Sequence, residues 1–312
     1  MVTAQPAERR SARCPGAPYA RSGVLAVGSA VAVMVFAGAA LAAPASAAPG
    51  VEALAVVSEQ GLLATSGDLI KPADTAGHVL AVDAASPVGV VPTTPVAGVT
   101  DEATGASVYD GPTYGTVTGV GSDGTNASFI VIKDAAAPSS YEFTIGEEGD
   151  TLAAAAGGRV QVLDSEGAVI NYLQAPWARD ANGKDLPTRY TFEAGTNVIT
   201  QTVDTAGAEF PVTADPSTGC GVGWCSVYFS RAETRAIAAG GGTAVGSITA
   251  ACALIGGPIA GGACAALSGL IVSVAQGANA NNRCLGIIGY GIPPALNGWA
   301  PFTLPRGDAH CK

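Results

Sequence analysis

Between residues 108 and 216 the hydrophobic positions alternate with polar ones in short runs. The runs are 114–120, 128–133 (S-F-I-V-I-K), 141–145 (Y-E-F-T-I), 159–163 (R-V-Q-V-L), 168–173, 188–192 (T-R-Y-T-F), 197–203 and 209–213. Glycine-bearing turns separate them: Gly124, Gly157-Gly158, Glu166-Gly167, Asn182-Gly183 and Gly207. Period-two alternation in segments this short, punctuated by turn residues, predicts an antiparallel β-sandwich or barrel. No amphipathic helices of 10–15 residues intervene, which excludes a parallel α/β sheet.

The pattern differs on either side. Residues 48–107 are rich in Ala, Val, Gly, Pro and Thr, and Pro87, Pro92 and Pro95 interrupt any long element. This stretch reads as an extension or linker, with a short helix or strand over 51–63. After residue 216 a strand leads to Ser230-Arg231-Ala232-Glu233. Ser at N-cap with Glu three residues on is a capping box, so a helix starts at Arg231. From Ala236 to Asn282 there are 47 residues without a charge, broken by Gly256-Gly257-Pro258. The break predicts a helical hairpin with arms near 237–255 and 259–278. The expected fold class is therefore α+β: an antiparallel β-sandwich-like domain (108–216) followed by a small disulfide-stapled helical-hairpin domain (217–312). Residues 287–294 read as an irregular closure.

At the start of the chain, Arg9, Arg10, Arg13 and Arg21 precede an apolar run from 24 to 43 and an Ala45-x-Ala47 site. A basic region, an apolar region and a small-residue site make a secretory signal peptide, 1–47, cleaved after Ala47. Cys14 lies before the apolar run, which excludes a lipobox role. The expected location is secreted or cell surface.

Export changes the cysteine count. Cys14 leaves with the signal, and Cys220, Cys225, Cys252, Cys264, Cys284 and Cys311 remain, all in the last third. An even number in an exported chain points to disulfides rather than zinc. Cys252 and Cys264 are each six residues from Pro258, so an antiparallel hairpin sets them opposite one another. Cys220–Cys225 and Cys284–Cys311 would then be the other pairs, although spacing alone leaves the connectivity open.

Charge divides the same way. Residues 49–216 carry 6 basic and 22 acidic residues, a balance of −16, whereas 217–312 carry 5 basic and 2 acidic, a balance of +3. The chain as a whole stands at −10 with 48% hydrophobic residues, which excludes disorder and nucleic-acid binding. Gly242-x-x-x-Gly246 and Gly257-x-x-x-Gly261 allow close helix contact. The uncharged arms are long enough for membrane contact through 236–282, but their ten glycines weaken insertion.

Within the β region, Pro176-Trp177-Ala178-Arg179-Asp180-Ala181-Asn182-Gly183 is followed by Pro187-Thr188-x-Tyr190 and by Pro211-Val212-Thr213-Ala214-Asp215-Pro216. The chain here resembles uncharacterised secreted actinobacterial proteins with a P-W-A-x-D-A-x-G…P-T-x-Y…P-V-x-A-D-P module and a Cys-containing Gly/Ala-rich tail. The resemblance implies an exported envelope protein and brings no activity. Its signature residues are Pro176, Trp177, Asp180, Gly183, Pro187, Thr188, Tyr190, Asp215 and Pro216. Asp180-x-Asn182-Gly183-x-Asp185 could be written as a calcium loop, but it lacks a distal bidentate glutamate and reads better as an Asn-Gly turn. Trp177 reads as a core plug rather than a carbohydrate platform. The acidic cluster Glu147, Glu148 and Asp150 reads as a solvated loop.

No H-E-x-x-H, G-x-S-x-G or Walker loop occurs, and His78 and His310 are the only histidines. The expectation is a non-enzymatic exported structural or interaction protein with no cofactor. Its partner would be an unknown extracellular protein or envelope component, with no nucleic acid. The alternative is a bacteriocin-like membrane-active toxin whose cationic tail is released.

Overall fold

Runs of β-branched and aromatic residues form the strands where the alternation places them. The computed structural model describes residues 51–64, 88–93, 98–293 and 295–312, all within the unit Ser46–Lys312. The expected signal peptide, 1–47, lies outside the described residues. Helix α1 (Val51–Glu59) comes first, then strands β1 (Val90–Pro92), β2 (Val99–Thr100), β3 (Ser107–Asp110), β4 (Tyr114–Val120), β5 (Asn126–Ile132) and β6 (Ser140–Ile145). They are followed by β7 (Thr151–Ala154), β8 (Val160–Leu163), β9 (Val169–Leu173), β10 (Ala178–Arg179), β11 (Thr188–Phe192), β12 (Val198–Val203) and β13 (Val212–Ala214). The tail contains β14 (Cys220–Gly221), β15 (Trp224–Tyr228), α2 (Arg231–Ala238), α3 (Gly241–Ala265), α4 (Ser268–Ala280), β16 (Leu285–Ile292) and β17 (Ala295–Thr303).

Every strand pairing between these elements is antiparallel, and the class is α+β. Four sheets form, with orders β1-β6-β12-β11, β10-β13-β5-β4-β3-β2, β7-β8-β9 and β14-β15-β16-β17. The first three share one core, in which Phe143, Ile145, Ile199, Ile130, Val162 and Leu173 are almost wholly buried. Burying each such side chain contributes about 1.5–3 kcal/mol, so this layer carries much of the fold. Trp177 fills a second core beside Phe129, with ring centroids 6.4 Å apart, and is a plug as expected.

Where an extension was expected over 48–107, α1 and β1 are packed, while β2 is exposed. Ala53 and Val57 of α1 are fully buried against Val117 and Val131, and Val90 joins the main core. Small apolar residues four apart give α1 a face that fits a sheet, and the glycine- and proline-rich composition obscured it.

The tail docks on this body. Ser230 caps α2 by accepting from the Glu233 N–H at 3.2 Å, and Glu233 returns to the Ser230 N–H at 2.8 Å, completing the capping box. The chain reverses inside α3: Cys252 and Cys264 have Cα atoms 6.1 Å apart, against about 18 Å for twelve residues of straight helix. Gly261 sits so close to Thr249 that a Cβ would lie 3.0 Å from its carbonyl oxygen, while Gly242 and Gly246 touch nothing. The hairpin is thus real, but its second arm ends at Ala265 and α4 starts afresh. Ala244, Ile248, Cys252, Ile271 and Ala275 face inward onto Val227, Leu285 and Ile287.

The described part of 287–294 corrects the expected irregular closure. β16 and β17 form an antiparallel pair, with a register shift between Tyr290 and Gly291, in which Gly286 pairs with Phe302 and Gly289 with Trp299. The aromatic rings lie over the glycines, and a Cβ at Gly289 would stand 2.9 Å from the Trp299 ring. Glycine in this strand makes room for a ring, so composition hid a strand that the aromatics complete.

Candidate functional site

A cavity of about 470 Å³ opens where the turn after β7, strand β11, the start of α2 and the last residues of the chain meet. Arg159, Glu233, His310 and Lys312 supply ionisable side chains to its lining, and Arg189 borders it from β11, exposed on the opposite face of that strand from Thr188, Tyr190 and Phe192. Val160, Pro176 and Phe192 supply an apolar wall.

Arg159 immediately precedes β8 and is 4% exposed. Its guanidinium forks onto Glu233, Nη1 to Oε1 at 3.0 Å and Nη2 to Oε2 at 3.3 Å, and also donates to the carbonyls of Ala156 and Tyr228. It lies over the Phe229 ring at 5.4 Å. Gly157, with φ +74°, leaves room for the pair, since a Cβ there would collide with both partners. Burial pushes the Glu233 carboxyl up, but the Arg159 charge and hydrogen bonds outweigh it and hold the group below its ordinary value.

Behind the cavity, Asp215 is fully buried and accepts from the Trp177 N–H at 2.9 Å and the Ser217 hydroxyl at 2.8 Å. Burial pushes its carboxyl up to about 6, against the pull of His310, these hydrogen bonds and Lys312. Burial also lowers the Lys312 ammonium, which donates to the Pro176 carbonyl. Arg159 Nε, Gln174 Oε1 and Tyr190 Oη are buried with no hydrogen-bond partner among the described residues, and all three residues line the cavity. Unsatisfied buried groups cost about 1–3 kcal/mol each, so polar partners such as water or a bound molecule are favoured beside these three.

The Cys284–Cys311 disulfide fastens the end of the chain beside the cavity, and the Arg231 N–H donates to the Lys312 carbonyl at 2.8 Å. His310 stacks near Tyr228, with centroids 4.6 Å apart. Cys220–Cys225 and Cys252–Cys264 are also bridged, so the six tail cysteines form three disulfides, as the spacing suggested. Disulfides of this kind belong to an oxidising compartment. Among the described residues, no helix is long and apolar enough to cross a membrane.

The signature residues 176–216 cluster around this seam. Pro176, Thr188 and Tyr190 line the cavity, while Trp177 and Asp215 support it from behind. Asp180 takes no part. Its carboxylate accepts the N–H groups of Asn182, Lys184 and Glu209, and Gly183 closes the turn at φ +78°. Backbone donation led by Lys184 holds its carboxyl below the ordinary value. Asp185 pairs with Arg179 at 2.9 Å. Pro187 and Pro216 serve through their carbonyls, which accept from the Asp204 and Ser128 N–H groups. The acidic loop is likewise a turn, with Asp150 accepting from the exposed Glu147 N–H at 2.9 Å.

Arg159, Gln174, His310 and Lys312 were missed as site residues, and Glu233 was seen only as a cap. One signal was available: an arginine leading into the alternating run R-V-Q-V-L, whose Val160 and Val162 are core positions, is a candidate for a buried partner. The others are separated from it by 15 to 153 positions and meet only in the fold. No family model, curated protein or solved structure matches the chain.

Proposed function

We propose that the chain is an exported, non-enzymatic interaction protein of the envelope or medium that holds a small ligand in the seam cavity. The observation that carries this reading is the cavity itself: about 470 Å³, charged and apolar walls side by side, and three polar atoms in its lining residues without a partner among the described residues. Ligand pockets have this size and this mixture. Export rests on the basic-apolar-small pattern of residues 1–47, supported by three disulfides in the tail. Cleavage by a signal peptidase should give a mature form beginning near Ala48, read by N-terminal sequencing of the secreted protein.

Binding is tested by native mass spectrometry of that mature form, together with Ala154→Trp, which fills the cavity from an exposed lining position. Retained ligand that disappears in the variant supports the reading. Equal retention by both, or chemical conversion of the ligand, overturns it.

The membrane-active alternative is less well supported. The chain reverses within α3, and Ile248, Ala251, Cys252 and Leu254 of its first half pack in the core that includes β15 and β16, although Val245 is exposed. Release near residue 217 would break the Arg159–Glu233 pair and the hydrogen bonds from Gln174 and Tyr172 to the Ser226 carbonyl. Leakage of dye from anionic liposomes by the 217–312 fragment would favour it.

A further inference from the structure

The occupant of the seam can be narrowed, on the premise that the cavity is a binding site. β11 lies at the edge of its sheet, and β12 is the strand hydrogen-bonded to it. The Asp204 N–H donates to the Pro187 carbonyl at 2.9 Å, which continues the β11–β12 register by one pair. Hydrogen-bonded and non-bonded pairs alternate along an antiparallel ladder. Arg189 and Thr191 therefore turn their backbone groups toward β12. Thr188, Tyr190 and Phe192 turn theirs outward, three N–H and three C=O groups without a partner among the described residues.

The same three residues line the cavity, together with Ala154 of β7. β7 is an edge strand as well. The Ala155 N–H donates to the Arg159 carbonyl at 2.9 Å, so Ala154 points its backbone groups away from β8. The Leu152 N–H reaches the Thr196 carbonyl, in the turn after β11, at 3.1 Å. No ladder joins β7 to β11 among the described residues, and both edges contribute to the cavity.

Other edges are shorter or protected. β2, β10 and β14 have two residues each, β1 ends in Pro92, β17 contains Pro301 and β9 is bridged to Thr218. Prolines, short strands and inward charges guard an edge against further pairing. β11 reads Thr-Arg-Tyr-Thr-Phe, with no proline and its charge on the solvent face. β-branched and aromatic residues favour pairing.

The two faces of β11 set the side chains a neighbour should carry, because opposite residues of an antiparallel pair share a face. On the inner face Tyr190 and Phe192 pack on the core, and Val160 and Pro176 line the cavity with them. On the outer face Arg189 is exposed beside Thr191 and Thr202, and none of the four ion pairs among the described residues includes it. Glu142 stands a strand further in, opposite Thr200. A second copy of β11 centred on Tyr190 would set Arg189 against Thr191 and leave its charge unanswered. An acidic side chain would answer it.

We infer that the outer edge of β11 takes an extended, antiparallel segment of another polypeptide, with apolar side chains toward the seam cavity and acidic ones beside Arg189. The backbone groups of the apolar residues would pair with those of Thr188, Tyr190 and Phe192.

Titration of the mature, oxidised protein with the blocked peptide acetyl-Ser-Val-Glu-Val-Glu-Val-Ser-amide tests this. N-methylation of its valines removes the N–H groups that point at β11 and should weaken binding at least about tenfold. N-methylation of its glutamates, whose N–H groups point away, should change binding by less than about twofold. Arg189→Glu should weaken the peptide about fivefold and should prefer the same peptide with lysine in place of glutamate. Amide exchange read by NMR gives the place. The peptide should protect the Thr188, Tyr190 and Phe192 N–H groups, whereas those of Arg189 and Thr191 are protected without it. Failure to bind, equal effects of the two methylations, or protection elsewhere overturns the inference. Protection of the outward amides before peptide is added also overturns it: in a monomer the chain covers its own edge, and in a dimer a second copy does. The binding reading beneath is judged apart, by whether native mass spectrometry finds a ligand that Ala154→Trp removes.

Discussion

Gly219 lies against the Tyr172 ring so closely that a Cβ would stand inside it, and Tyr172 is fully buried with its hydroxyl on the Ser226 carbonyl. Gly219→Ala should therefore lower stability by about 2 kcal/mol or more, read from the urea midpoint. Gly277 of α4 has open space around it, and Gly277→Ala should raise stability by about 0.5–1 kcal/mol. Asp215 sets a pH dependence with a definite sign. Its folded value is raised to about 6, so its contribution is complete below its unfolded value near 4 and is lost as pH rises through about 6. Asp215→Asn should flatten the stability profile between about pH 4 and about pH 6, a difference on the order of 3 kcal/mol in urea unfolding. Glu233 acts in the opposite sense and lower: its folded value is depressed, so its contribution is lost as pH falls below the ordinary glutamate range.

Helix α2 ties two tasks to one side chain. Glu233 closes the capping box and neutralises Arg159. Ser230→Ala removes the cap alone and should cost about 1 kcal/mol. Glu233→Gln keeps an amide that can cap but leaves a buried guanidinium without its counter-charge, and should cost about 3 kcal/mol. Thermal unfolding of the two variants side by side separates the roles, and equal losses would mean that the ion pair contributes nothing. The same contrast runs through the strands. β4 and β11 were legible to the residue, because alternation is a local property. β7 and β10 were not, because four and two residues carry no period. β16 was hidden because its glycines are explained only by Phe302 and Trp299 on the neighbouring strand.

At the scale of the molecule, the Cys284–Cys311 bridge holds the chain end against the cavity. It closes a 27-residue separation, which corresponds to about 3.5 kcal/mol of unfolded-state entropy. Replacing both cysteines by serine should lower stability by about that amount. It should also release 304–312, seen as lost amide protection, and with them His310 and Lys312 from the lining. A variant that keeps its ligand and protection would show that the bridge is not what positions them. The alternation, the turns, the helix cap and the cysteine spacing are properties of neighbours, and these determined the antiparallel α+β class, the hairpin and the opposition of Cys252 and Cys264, while the fold decided the other two disulfide pairs. The site is a property of distance. Arg159, Glu233 and Lys312 lie on three separate stretches and become one surface only when the tail folds back on the sheets. A sequence records each charge, but whether that charge is solvated, paired or turned toward a cavity depends on what the rest of the chain places beside it.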